Sequence, residues 1–250
     1  MTLEKIEFDT DEGFGHKARI GLIVLETDQT VEAEIRQIRI PGVDWYHSRI
    51  PNDSEVTPST LTDMKQRLPV AASLLPNEFA FDAIGYCCTS AATLIGEEAV
   101  AGAIQDSHPG VACSNPITAA VAAFQALEVS RISVLTPYTA EVTAPIISFF
   151  NNSGLEVEKV ASFLEPSDYV VARISEDSVA AGVRDLAKSD CEAVFVSCTS
   201  LRSFGIVAAL EQELGKPIVS SNLAISWHLL RLAGVEDSFN EFSQLFMKQL

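Results

Sequence analysis

Asp82-Ala-Ile-Gly-Tyr-Cys-Cys-Thr-Ser90 and Glu192-Ala-Val-Phe-Val-Ser-Cys-Thr-Ser200 align without a gap. Each is an acid, then an apolar run of strand length, then Cys-Thr-Ser. Cys88 and Cys198 stand 110 positions apart, and neighbouring segments keep nearly that spacing. Arg19-Ile-Gly-Leu22 answers Arg131-Ile-Ser-Val134 at 112, and Cys113-Ser-Asn115 answers Ser220-Ser-Asn222 at 107. Several segments holding one long offset mean that a single structural unit occurs twice.

Working outward, short β-rich runs at Arg19–Leu25, Ala83–Cys87, Arg131–Leu135 and Ala193–Ser197 alternate with stretches of helical periodicity at Leu61–Leu75, Ala91–Ile104, Thr118–Leu127 and Ser203–Leu214. That alternation is the pattern of βαβ units around parallel sheet, so the fold class is α/β. The repeat predicts two αβα lobes related by a pseudo-twofold axis, with mainly parallel sheets. The first is expected over 18–115 plus 217–240 and the second over 116–216. Open α/β sheets bind ligands beyond the carboxyl ends of their strands, which places the active site between the lobes, with both Cys-Thr-Ser turns lining it. Pro51-Asn-Asp-Ser-Glu-Val-Thr-Pro58 is polar and turn-rich, an exposed loop or a lid.

The bulk numbers exclude several classes. A chain of 250 residues can bury a sizeable core, and none of its apolar stretches nears the roughly 20 residues needed to cross a bilayer, so no membrane partner is expected. A net charge of −17, with 34 acids against 17 bases, disfavours nucleic acid. Five cysteines are too few and too odd for a disulfide framework. With a charged N-terminus lacking a leader pattern, they predict reduced thiols in the cytoplasm. No nucleotide-binding glycine motif occurs, and His16, His47, His108 and His228 are scattered without a Cys-x-x-Cys, so neither a cofactor nor a metal is expected.

A lone buried cysteine is ordinarily a small core hydrophobe, and that reading is adopted for Cys87, Cys113 and Cys191. Packing gives little reason for Cys-Thr-Ser to close two corresponding strands, so Cys88 and Cys198 are the expected catalytic pair. At a strand end before a helix, the free N–H groups are expected to lower each thiol pKa from about 8.5. Thr89, Ser90, Thr199 and Ser200, with the backbone N–H groups of their turns, are expected to cradle a substrate carboxylate.

These residues resemble the aspartate/glutamate racemase superfamily, in particular its branch of maleate cis-trans isomerases, arylmalonate decarboxylases and ectoine-utilisation proteins. The resemblance runs from about Ala18 to Val235. It is carried by Gly21-Leu-Ile-Val-Leu25 through Thr30-Val-Glu32, Cys88-Thr-Ser90, Thr136-Pro-Tyr138, Ser197-Cys-Thr199 and Ser220-Ser-Asn222 with Trp227. It implies that Cys88 is a nucleophile or base, that Cys198 is its proton-donating partner, and that Tyr138 directs its hydroxyl at the substrate carboxylate. The decarboxylase branch keeps only the second-lobe cysteine, so two thiols argue against that activity.

Two departures bear on substrate. Where maleate isomerases carry Pro-Ser-Ser-Asn, this chain reads Leu25-Glu-Thr-Asp28, and a second family asparagine falls at Asp168. An ionised carboxylate accepts hydrogen bonds and repels a dianion, whereas an amide donates. Asp28 and Asp168 therefore favour a substrate bearing an ammonium or another donor, unless Asp28 serves only to cap a helix expected over Gln29–Ile38. The expected function is a pyridoxal-independent isomerase or racemase of a small, amino-acid-like carboxylate. Maleate cis-trans isomerase is the first alternative; an arylmalonate-type decarboxylase and an idle metabolite-binding protein are further ones. A homo-oligomer is expected by analogy with such folds.

Overall fold

The computed structural model describes residues 1, 3–78 and 80–250. Its first half runs β1 (Ala18–Leu25), α1 (Val31–Ile35), β2 (Val43–Ile50), α2 (Pro58–Ser73), β3 (Ala83–Cys87), α3 (Thr89–Ile95), α4 (Glu97–Gln105), β4 (Ala112–Ser114) and α5 (Pro116–Ala126). The second half runs β5 (Arg131–Thr136), α6 (Ala140–Asn152), β6 (Glu156–Ser162), α7 (Asp168–Val171), α8 (Glu176–Leu186), β7 (Ala193–Val196), α9 (Phe204–Leu214), β8 (Ile218–Ser220) and α10 (Ser221–Leu232), before a 3-10 turn at Gln244–Met247.

Two four-stranded sheets result, ordered β2-β1-β3-β4 and β6-β5-β7-β8, and all their pairings are parallel. The two orders are the same order displaced by four strands, which is the repeat expressed as topology. Central strands buried on both faces must be apolar throughout, and β3 and β7 are buried at every residue.

The last helix of each half crosses to the other sheet. Phe124 on α5 meets Phe150 and Phe195 of the second lobe edge to face, with centroids 6.3 and 6.2 Å apart. α10 returns to the first sheet and lies so close to β3 that a Cβ added at Gly85 would meet Leu229 Cδ1 at 2.7 Å. A side chain there would force Leu229 and Ile225 to shift.

The structure departs from the sequence reading in three places. The return to the first lobe begins at Ser221, not 217, because Ile218–Ser220 still pairs with β7 and completes the second sheet. The helix expected over Ala91–Ile104 is two helices, broken at Gly96, whose φ of 89° ends one and starts the next. The helix expected over Gln29–Ile38 shrinks to Val31–Ile35. No helix among the described residues is long and apolar enough to cross a membrane.

Candidate active site

Cys88 is the N-cap residue of α3 and Cys198 follows β7, so both leave the carboxyl ends of their central strands. Parallel strands in two facing lobes direct those ends at one another. Cys88, Ser90, Tyr138, Asp168, Cys198, Thr199 and Ser200 accordingly line a single cavity between the lobes. Cys198 has φ 113°, a backbone conformation that L-residues rarely adopt. Such strain survives only where surroundings impose it, and here Cys198 N donates to Ser221 Oγ at 3.0 Å while Ser200 N points at Cys198 Sγ at 3.4 Å.

The expected lowering of both thiol pKa values is not what the structure produces. Burial pushes Cys88 up from 9.0 to about 11, although the Ala91 N–H and the Ser90 hydroxyl, 3.8 Å from the sulfur, act to lower it. Cys198 rises to about 12, first through burial and then through the Asp168 carboxylate. For thiols buried this deeply, desolvation of the thiolate outweighs a few N–H donors. Tyr138, buried beside both thiols and Ser90, is raised well above its usual range by the same cause, so at neutral pH its hydroxyl is a donor.

Most of the hydroxyls expected to cradle substrate are already committed to partners within the protein. Thr89 Oγ1 pairs with Ser221 Oγ at 2.8 Å, Thr199 Oγ1 donates to Cys87 O at 3.2 Å, and Ser200 Oγ donates to Asp168 Oδ1 at 2.8 Å. Thr89 is outside the cavity lining, and Ser90 is the hydroxyl left beside Cys88. Asp168 also accepts from Thr27 Oγ1 at 2.6 Å, so its carboxylate bridges the first lobe to the Cys198 turn.

Asp28 does not line the cavity. Its Oδ1 accepts from Thr30 N and Val31 N, each at 2.9 Å, which caps α1 and explains its late start. Its Oδ2 is buried with no partner among the described residues. Burial raises its pKa from 3.8 to about 7, against the two N–H donors. A folded-state pKa above the ordinary one means that ionisation costs the folded state as pH climbs from 4 to 7. Asn caps equally well without that cost. Asp28→Asn is therefore expected to stabilise the protein at pH 8 by at most about 4 kcal/mol, the gain vanishing near pH 4. Urea unfolding at the two pH values checks it, and equal stability at pH 8 would show the burial penalty to be absent.

The loop suspected as a lid closes the cavity. Val56 N donates to Pro166 O at 3.0 Å, Asp168 N donates to Ser54 O at 3.2 Å, and Glu55 and Ser167 form an antiparallel bridge. Asn52, Asp53, Glu55 and Val56 of this strap join the lining, which includes no Lys, Arg or His; of its acidic residues Asp53 turns its carboxylate to Arg67 at 3.3 Å, and Asp168 is the buried one. The space left among these side chains is about 20 Å³, room for one water, so an organic acid needs the lining to move apart.

Glu34 went unread in the sequence. From α1 of the first lobe it accepts from Phe204 N at 2.9 Å and Asn222 Nδ2 at 2.7 Å, and from Ser203 N. The Asn222 amide also donates to Thr199 O at 2.9 Å, and Thr30 Oγ1 donates to Ser200 O at 2.8 Å. α1 thus grips the Cys198 turn from across the interface. A Glu in a helical pattern carries no local signal of such a role; only Asn222, in the repeated Ser-Asn, was singled out.

Paired parallel sheets with one cysteine from each at a shared cleft are the architecture of the aspartate/glutamate racemase-like α/β proteins. A family model described as arylmalonate decarboxylase matches residues 20–246, and the chain belongs to that family. A maleate isomerase of Pseudomonas putida is 25% identical over 232 residues, covering 87% of this chain and 92% of the relative. One from Nocardia farcinica is 26% identical over 225 residues, covering 85% and 89%. Among solved structures, a Nocardia farcinica maleate cis-trans isomerase variant with a covalently bound succinylcysteine intermediate superimposes with a TM-score of 0.82 at 22% identity, over 92% of this chain and 98% of that one.

Proposed function

We propose that this protein is a cofactor-independent, cysteine-dependent isomerase of a small carboxylic acid, working in the cytoplasm, with cis-trans isomerisation of a maleate-like substrate as its reaction. The observation that carries the reading is the placement of Cys88 and Cys198 in one cavity, with the Tyr138 hydroxyl beside them. The similarity to maleate isomerases over most of both chains ranks cis-trans isomerisation above the racemisation that the sequence alone favoured.

In this reading Cys88, with more donors turned on its sulfur, forms an S–C bond to one alkene carbon. Cys198, the more firmly protonated thiol, delivers its proton to the other carbon, and the proton of Cys88 passes to Cys198. The double bond becomes single and rotates. The reverse steps break the S–C bond, return the proton, and release the trans isomer. Tyr138 and Ser90 donate to the carboxylate on which negative charge builds.

One observation favours a second reading. A cavity bordered by the buried Asp168 carboxylate and by no cationic side chain suits an ammonium-bearing substrate better than a dianion, and two opposed thiols then invert its α-carbon. Proton NMR in D2O with maleate, and with aspartate, glutamate and diaminobutyrate derivatives, separates the two. Fumarate appearing from maleate upholds the first. Deuterium entering Cα with loss of optical rotation replaces it by the second, and no turnover of any of them sinks both.

A further inference from the structure

Apart from the two thiols, most side chains of the cavity lining that can donate a hydrogen bond are already spent. Asn52 Nδ2 donates to Thr27 Oγ1 at 2.9 Å and to Asp53 O at 3.0 Å, and Thr60 Oγ1 donates to Glu55 O at 2.9 Å. Thr199 and Ser200 are committed to Cys87 O and to Asp168. Ser90 and Tyr138 remain, two hydroxyls that suffice for one carboxylate.

Asp168 presents the opposite chemistry. It is buried, it borders the cavity, and both of its oxygens already accept, Oδ1 from Ser200 Oγ at 2.8 Å and Oδ2 from Thr27 Oγ1 at 2.6 Å. The Thr27 hydroxyl is itself held from behind by Asn52 Nδ2, which leaves its proton for Asp168. A carboxylate has about four acceptor sites, so each oxygen keeps one open, and whatever meets them must donate. No Lys, Arg or His of the lining offsets a second negative charge there. Arg49, on the strand that enters the strap, is committed to Glu32 at 2.6 Å and to the carbonyls of Leu25, Glu26 and Asp28.

A dianion in this cavity sets one carboxylate against Ser90 and Tyr138 and the other against Asp168, a like-charge contact out of water. An ammonium satisfies Asp168 but does not conjugate with a double bond, and thiol addition needs a conjugated, electron-poor alkene. A primary carboxamide does both. It withdraws electrons from the alkene and offers two N–H groups to the two open acceptor sites.

We propose that Asp168 is the specificity-determining residue of the site, selecting a cis-enoic acid whose second end is a primary carboxamide, the monoamide of maleic acid (maleamate), over the maleate dianion. The carboxylate of this substrate takes Ser90 and Tyr138, and its amide takes Asp168. The thiol chemistry is unchanged, and the amide leaves as it entered, on the trans isomer.

This rests on the isomerase reading, and two measurements keep the two failures apart. Turnover of maleate and of maleamate is followed by proton NMR at pH 8, where maleate is a dianion, in the wild type, Asp168→Asn and Thr27→Val. The wild type is expected to favour maleamate in kcat/KM by about a hundredfold or more. Asp168→Asn, whose amide can donate to a carboxylate, should move that ratio at least about tenfold toward maleate. A variant that merely loosens the site lowers both rates and leaves their ratio alone. Thr27→Val, which removes one donor to Asp168 but keeps the carboxylate, should therefore retain the preference. Calorimetric binding of succinamate and succinate, saturated analogues to which no thiol adds, should show the same order in the wild type and the same shift in Asp168→Asn. Equal turnover or equal binding of the two members of a pair, or a preference unchanged in Asp168→Asn, overturns the inference and leaves the isomerase reading standing. Turnover of neither alkene sinks that reading, and tighter binding of succinamate would then still uphold the selection made by Asp168.

Discussion

Cys88→Ala is expected to abolish turnover, by a factor on the order of 10³ or more, because it removes the thiol that forms the S–C bond and leaves Cys198 in the role of proton donor. Cys198→Ser should be as inactive overall but fail differently. The Cys88 sulfur can still add, and without a matched proton partner the adduct should persist as a mass increase of one substrate molecule on the peptide carrying Cys88. Neither thiol makes a hydrogen bond that the fold needs, so both variants should unfold at the wild-type urea concentration. Catalysis surviving in Cys88→Ala, or an adduct found on Cys198 alone, would reverse or refute the assignment. The raised thiol pKa values add a pH signature. Alkylation of the ligand-free protein should be slow at pH 7 and quicken about tenfold per pH unit up to about 11. Since both folded-state values lie above the ordinary 9.0, their contribution to stability is present below pH 9. It is lost as the pH rises through about 11 and 12.

Glu34→Ala is expected to show the largest loss of stability. It strands Ser203 N, Phe204 N and the Asn222 amide in a buried interface, where unsatisfied donors cost about 1 to 3 kcal/mol each, so a total of roughly 3 kcal/mol or more is expected. Glu34→Gln should fall between, since its carbonyl can still accept from α9 while its amide opposes that of Asn222. Activity should fall further than stability explains. Loosening Asn222 frees Thr199 O, and with it the Cys198 backbone held at φ 113°. The measurement is urea unfolding paired with kcat and the alkylation rate of Cys198. Wild-type stability in Glu34→Ala would remove the clamp from the account. Loss of stability with undisturbed Cys198 reactivity would leave Glu34 a purely structural residue.

The strands, the parallel α/β class, the duplication and the two thiols were legible in the chain because each is written locally. Apolar runs of strand length, helical spacing and a repeated Cys-Thr-Ser need no knowledge of what lies opposite. What the thiols experience was not legible. A helix start argued for a lowered pKa, and what raises it is burial between the two lobes, with the Asp168 carboxylate adding to it from a distant part of the chain. Asp28 and Asp168 had the same residue type and the same expected role, yet one caps its own helix while the other borders the cavity and joins Thr27 to Ser200. Thr89, Thr199 and Ser200 were expected to offer hydroxyls to substrate; each hydroxyl is bonded within the protein, Thr199 to Cys87 O of the other lobe, although Thr199 and Ser200 line the cavity. The sequence by itself determined which elements form and how often. Only the tertiary structure decided which polar groups are left for substrate, because hydrogen-bond partners and desolvation depend on atoms that the fold brings together from more than a hundred residues away.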